Sequence, residues 1–269
     1  MKKYFIAIVI AGAIWSCATN PFTGKQTLNF VSNDQIFPTA FAQYSQFLSE
    51  NKVVTGTSAA QQVQTVGNKI RLAAEKYLNS LGQKEYLNGY AWEYKLVENK
   101  EVNAWCMPGG KIVVYSGILP ITKDEAGLAT VLGHEVSHAL ANHGAQRMSV
   151  DQLQQLVGVG VAAATSKQTP EKQAIFQQAY GLGSTLAVAL PFSRSNESEA
   201  DEIGLTLMAI AGYNPEQAIV FWQRMSAQGG ASQPEFLSTH PSDATRIADL
   251  KKLVPKAKAN AAKFGIVYK

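Results

Sequence analysis

Three residues carry the densest chemistry in the chain: His134, Glu135 and His138, in the stretch Val131-Leu132-Gly133-His134-Glu135-Val136-Ser137-His138. A helix turns about 100° per residue, so two histidines four apart lie on one face, about a turn from each other, and can reach one ion. Neutral imidazoles are good zinc ligands. A catalytic zinc normally takes three protein ligands and leaves a fourth position to water, whose pKa falls to about 7. Glu135 sits on the flank of that face, within reach of such a water. It has the position of a general base for peptide hydrolysis.

The third ligand must come from elsewhere in the chain. A metzincin would continue with glycine at 141 and histidine at 144, but this sequence has Ala141 and Gly144, with His143 one position early. The run Asn196-Glu197-Ser198-Glu199-Ala200-Asp201 offers three carboxylates. Glu197 and Asp201 share a helical face, so one could ligate while the other orients a metal-bound histidine. Glu199 falls on a different side and is expected to be solvated. The plainer reading is an acidic helix start favoured by the helix dipole.

The elements that must position these residues can be read from periodicity. Leu128, Val131, Leu132, Val136 and Leu140 surround the histidines with apolar side chains and predict a helix hidden on most sides. Helices are predicted at 34–50 and 59–81, the second carrying Val63, Val66, Ile70, Ala73, Ala74 and Tyr77 at helical spacing. A β region follows at 91–98, 102–107 and 111–115, with Pro108-Gly109-Gly110 as the turn between the last two. Beyond Asp124 the pattern is helical, at 150–165, 170–190, 197–211 and 215–228 after the motif helix. The apolar run Leu156 to Ala164 is half the length of a membrane span, so close helix packing is expected there. The fold class is α+β, mainly helical, with the motif helix and a glutamate-donating helix packed beside a small sheet. An edge strand of that sheet could pair with a substrate backbone.

Composition excludes other classes. A hydrophobic share of 46% over 269 residues suits a folded core and excludes disorder. The net charge of +4 includes Lys2 and Lys3 in a segment expected to be removed. With no basic cluster, no stacking series of aromatics and no glycine-rich phosphate loop, nucleic acid is not an expected partner.

That N-terminal segment is a pair of lysines, an apolar run from Tyr4 to Trp15, and Ser16-Cys17. A run of about a dozen residues suits a secretory signal rather than a membrane span of about 20. A small residue directly before cysteine resembles a bacterial lipobox, although Trp15 is unusual there; a signal cut elsewhere or a short anchor is the alternative. The expected layout is a lipoprotein signal peptide at 1–16, lipidation at Cys17, a tether at 17–28 and a single domain at 29–269. With Cys17 acylated, Cys106 has no disulfide partner and reads as a small apolar residue in a strand. The chain is then expected to face the periplasm on a lipid anchor.

Together, Val102-Asn103-Ala104, Pro108-Gly109-Gly110, His134-Glu135-x-x-His138, Ser193-Arg194-x-x-Glu197-x-Glu199-Ala200-Asp201, Ala211-Gly212-Tyr213-Asn214-Pro215 and Thr239-His240-Pro241 resemble the M48 zinc metallopeptidases. The resemblance runs from about Asp34 to Leu250 and is to the soluble, lipid-anchored bacterial branch. It implies one Zn²⁺ per subunit on His134, His138 and Glu197, with Asp201 as supporting residue and Glu135 as general base. Asn103 and Ala104 would lie on the substrate-binding strand. It further implies polypeptide substrates, among them misfolded or mislocalised envelope proteins, and Ala18 after the lipid cysteine favours the outer membrane by analogy. The alternative is a chaperone-like or binding lipoprotein that keeps the fold and rarely cuts. His240 and Arg246, six residues apart, match residues placed at the active site in such enzymes. There His240 would either stabilise the oxyanion or act as a fourth ligand that holds the enzyme closed.

Overall fold

The structure, a computed structural model, describes residues 17–184, 190–228, 235–240 and 244–268. The segment read as a signal peptide lies outside the described residues, as does Pro241. In chain order the elements are β1 (Cys17–Thr19), β2 (Gln26–Leu28), α1 (Asn33–Glu50), β3 (Val53–Val54), α2 (Ser58–Ser80), β4 (Glu93–Val97), β5 (Ala104–Met107) and β6 (Lys111–Tyr115). There follow α3 (Leu119–Thr122), α4 (Glu125–Leu140), α5 (His143–Thr165), α6 (Pro170–Ser184), α7 (Leu190–Ile210), α8 (Glu216–Ser226), α9 (Glu235–Thr239) and α10 (Ala244–Ala262). The class is the expected one, α+β and mainly helical.

The four-stranded sheet has the order β3-β4-β6-β5, with β4 parallel to β6 and the other neighbours antiparallel. The turn joining β5 to β6 has Gly109 at φ 82° and Gly110 at φ 84°. Two consecutive left-handed residues suit glycine because a Cβ clashes there. On one side β5 pairs with β6, and it forms an edge of the sheet.

Helix α4 is the axis of the core. Asp124 caps it by accepting from the Gly127 amide at 2.8 Å, and Leu128, Val131, Leu132, Val136 and Leu140 are all buried, as their pattern predicts. Each such side chain contributes about 1.5–3 kcal/mol when buried. Helix α2 lies against the sheet through Val63, Val66, Ile70, Ala73 and Ala74. Helix α7 crosses α4 where Gly133 meets Gly204; a Cβ on Gly204 would stand 3.0 Å from the Gly133 carbonyl carbon and from the His134 nitrogen. Backbone against backbone, the crossing brings the motif helix and the acidic helix closer than side chains would permit.

Three regions depart from expectation. Helix α5 begins at His143 rather than Val150, because Asn142 turns left-handed at φ 55° and lets a new helix start at once. Residues 17–28, read as a tether, form the β1–β2 hairpin. The Gly-rich stretch of α5 packs on α6 only in part. A Cβ on Gly158 would stand 3.4 Å from the Tyr180 ring, yet Leu156 and Val159 are 64% and 66% exposed. No described helix is long and apolar enough to cross a membrane.

Candidate metal centre

His134, His138, Glu197 and His240 converge so that one ligand atom from each lies within 4.8 Å of the others. Helix α4 supplies the first two on one face, α7 supplies Glu197 across the glycine crossing, and His240 follows the short α9. His134 Nε2 stands 3.0 Å from His138 Nε2, 3.1 Å from His240 Nδ1 and 3.3 Å from Glu197 Oε2. Glu197 Oε1 is 3.4 Å from His138 Nε2. Ligands about 2.0–2.1 Å from a zinc ion in tetrahedral array are about 3.3 Å apart, so these four donors fit one small cation.

The electrostatics favour positive charge at the shared point. Burial opposes a charged His134, but its hydrogen bonds to Asp201 and Glu197 outweigh that and push its pKa up to about 9. Burial and the neighbouring His134 hold His138 well below the usual imidazole value, so its ring stays neutral, the form that ligates. Burial would raise Glu197, yet the hydrogen bonds from His134 and His240 keep its carboxyl well below the ordinary range. Glu135 is different: burial dominates and raises its pKa. Among the described residues its Oε1 has no hydrogen-bond partner, with His240 Nε2 3.4 Å away. A buried carboxylate oxygen without a donor is costly and is found where chemistry requires it.

The far side of His134 is braced. Its Nδ1 donates to Asp201 Oδ1 at 2.9 Å, which fixes the nitrogen that carries the proton. Arg246 grips Asp201 with Nε to Oδ2 at 2.8 Å and Nη2 to Oδ1 at 2.7 Å, and also reaches Glu197 Oε2 at 3.4 Å and the His240 carbonyl at 3.4 Å. Its guanidinium lies over Trp222, 3.5 Å from the ring centroid, and Trp222 in turn stacks on Phe236. Arg246 thus ties the loop of His240 to Glu197 and Asp201 of α7.

Glu199 corrects an expectation. It is only 5% exposed, not solvated, and accepts from Asn20 Nδ2 at 2.8 Å, Thr23 Oγ1 at 2.6 Å and Lys25 Nζ at 3.0 Å. Its other contact is His143 Nε2 at 3.1 Å, and His143 Nδ1 stands 2.8 Å from His138 Nδ1. The helical wheel did turn Glu199 away from Glu197. What it could not show is that the N-terminal hairpin covers that side.

Asn103 and Ala104 lie at the start of the edge strand. Asn103 turns its carbonyl to β6, accepting from Tyr115 at 3.0 Å, so the Val102 carbonyl and the Ala104 amide face outward. Both have internal partners: Val102 accepts from the Phe236 amide at 3.1 Å, and Ala104 donates to Asn103 Oδ1 at 2.9 Å. Cys106, in the same strand, is a free thiol whose pKa burial pushes well up, as suits an inert apolar residue.

Sequence reading missed His143, Gly204, Trp222 and Phe236. His143 was visible as a histidine five residues past His138 but fits no metal-ligand spacing. Gly204 is an isolated glycine in a helical pattern, a known sign of close backbone approach. The proximity of Trp222 to His134 is purely tertiary, whereas Phe236 lies one helical turn before His240, whose amide donates to the Phe236 carbonyl at 2.9 Å.

The profile of peptidase family M48 matches residues 61–254. The chain is 36% identical over 182 residues to a mitochondrial metalloendopeptidase of Saccharomyces cerevisiae, a match covering 64% of this chain and 49% of that protein. It is 33% identical over 187 residues to the β-barrel assembly-enhancing protease of Yersinia pestis, covering 65% and 38%. The Escherichia coli protein of the same name is 31% identical over 184 residues, again covering 65% and 38%. The matches therefore span about half the length of these relatives or less.

Proposed function

The chain belongs to peptidase family M48, and on that premise we propose that it is a zinc-dependent metalloendopeptidase. The observation that carries the reading is the convergence of His134, His138, Glu197 and His240, with one ligand atom of each within 4.8 Å of the others and the buried carboxylate of Glu135 beside them. His134, His138 and Glu197 would hold the ion. When bound, zinc would act as a Lewis acid on the scissile carbonyl and on the attacking water.

The protein's own groups supply the rest. Glu135, with its raised pKa and an oxygen lacking a donor, accepts the proton of the water and passes it to the leaving amine. Asp201 holds the proton of His134 on Nδ1, so that Nε2 keeps its lone pair for the metal. The substrate backbone adds to the outer edge of β5, at Val102 and Ala104. Main-chain pairing of this kind tolerates many sequences, which suits an enzyme that removes misfolded proteins.

His240 is the fourth ligand of a resting state. Its Nδ1 shares the donor cluster, and the Phe236 amide occupies the Val102 carbonyl that a substrate strand would use. One segment therefore covers both the metal and the strand, and it must move before a peptide can bind.

The substrates are misfolded or mislocalised envelope proteins, and the enzyme faces the periplasm from a lipid on Cys17, in the outer membrane. Similarity to the β-barrel assembly-enhancing proteases supports a role in protein processing, while the location rests on the signal-like N-terminal segment and Cys17. Casein digestion by purified protein, with and without chelator and with zinc restored, tests the activity; zinc-loaded protein that leaves casein intact would favour the chaperone-like alternative. Fractionation of Cys17→Ser tests the anchor, since stable attachment depends on acyl chains. A variant that stays with carbonate-washed membranes would point to an uncleaved anchor instead.

A further inference from the structure

We propose that His143 and Glu199 are positioning residues for the metal ligand His138, and that the N-terminal hairpin is through them a working part of the metal centre. The inference rests on reading the donor cluster as a zinc site. It adds a second brace that the ligand motif does not contain.

The hydrogen-bond roles follow from one constraint. His138 turns Nε2 to the cluster, 3.0 Å from His134 Nε2, so as a ligand it must keep its ring proton on Nδ1. That proton points at His143 Nδ1, 2.8 Å away, which must then be the acceptor. His143 therefore carries its own proton on Nε2 and donates it to Glu199 Oε2 at 3.1 Å. The chain of donors runs in one direction, from His138 through His143 to Glu199. Every tautomer in it is determined by the next.

The parallel with the other ligand is close. His134 donates to Asp201, which Arg246 neutralises. His138 donates through His143 to Glu199, which Lys25 neutralises at 3.0 Å. Each of the two rings on α4 thus ends on a buried carboxylate paired with a cation. The second brace is longer by one imidazole because α5 restarts at Asn142, and that break places the His143 ring between α4 and α7.

Glu199 could not hold this position alone. A carboxylate that is 5% exposed needs donors around it, and Asn20, Thr23 and Lys25 supply them from the loop of the β1–β2 hairpin. Asn20 is itself 4% exposed, and its Oδ1 accepts from the Phe22 amide at 2.9 Å, which shapes the loop. The hairpin begins at Cys17, so the segment nearest the expected lipid is also the one that closes the metal centre from behind.

The test compares wild type, His143→Leu, His143→Gln and the pair Asn20→Ala with Thr23→Ala. Zinc affinity is measured by chelator competition, thermal stability on the zinc-free proteins, and the His138 Nδ1–H resonance by ¹⁵N NMR on the zinc-loaded ones. Glutamine can accept from His138 through its carbonyl and donate to Glu199 through its amide. His143→Leu should bind zinc about 10–100-fold more weakly and lose the protected Nδ1–H signal, while His143→Gln recovers most of the affinity. The hairpin pair should fall between them. Equal zinc affinity in wild type and His143→Leu would overturn the proposal. So would equal losses in His143→Leu and His143→Gln that merely follow their stability without zinc. Wild-type protein that takes up no zinc would overturn the functional reading itself, and the brace with it.

Discussion

Gly133 and Gly204 meet backbone to backbone where α4 crosses α7, and a Cβ on Gly133 would lie 3.0 Å from the Gly204 carbonyl oxygen. This approach sets the distance between the histidine pair and Glu197. Gly204→Ala should force the helices apart, destabilise the protein by about 1–3 kcal/mol as overpacked cores do, and weaken zinc binding. Thermal unfolding and zinc titration of the same preparation check both effects. Undiminished zinc affinity would mean that the crossing does not set the ligand geometry.

Glu135→Gln should keep its metal, because Glu135 is the proton acceptor in the proposed mechanism and is not one of the converging donors. Turnover should fall by at least the roughly 10²–10⁴-fold of a lost acid–base group. Metal analysis paired with peptide hydrolysis decides it, and a zinc-loaded variant with wild-type turnover would sink the mechanism.

Glu197→Ala should bind zinc far more weakly, since it removes the only anionic ligand of the set and leaves the neutral imidazoles of His134, His138 and His240. Glu199→Ala should bind it more weakly but still bind. Equilibrium dialysis of both variants would expose a wrong assignment if the order were reversed.

His240→Ala should raise proteolysis and self-cleavage, because it frees the fourth position and loosens the segment that covers Val102. A fall of about 10²–10³ in rate would instead mark His240 as an oxyanion donor. Rates on a quenched peptide, with zinc content matched, separate the two.

Acid should act on Glu199 in a defined window. Burial raises its pKa, but donors from His143, Thr23 and Lys25 more than offset this and bring it from 4.5 to about 2. A folded pKa below the unfolded one means the stability it contributes is present above pH 4.5 and is lost as the pH falls toward 2. Melting temperatures of wild type and Glu199→Gln should converge across that range. A constant gap between them would show that the carboxylate adds nothing through its charge.

Sequence alone was enough for whatever depends on neighbours along a helix or strand. The pairing of His134 with His138, the shared face of Glu197 and Asp201, the buried stripe of α4 and the β5–β6 turn all follow from local periods and backbone preferences. His240 and Arg246 entered only through an ordered set of motifs, since nothing in their own surroundings distinguishes them from a loop histidine and a helix arginine. Only the tertiary structure decided which groups lie behind the ligands. Glu199 reads as solvated on a helical wheel and is buried because a hairpin more than 170 residues earlier covers it. His143 fits no ligand spacing, and it matters because one left-handed residue, Asn142, aims it back at His138. The physical reason is the same in both cases: a helix period fixes the direction of a side chain, but burial and partners depend on what packs there, and that is set by long-range contacts no local pattern contains.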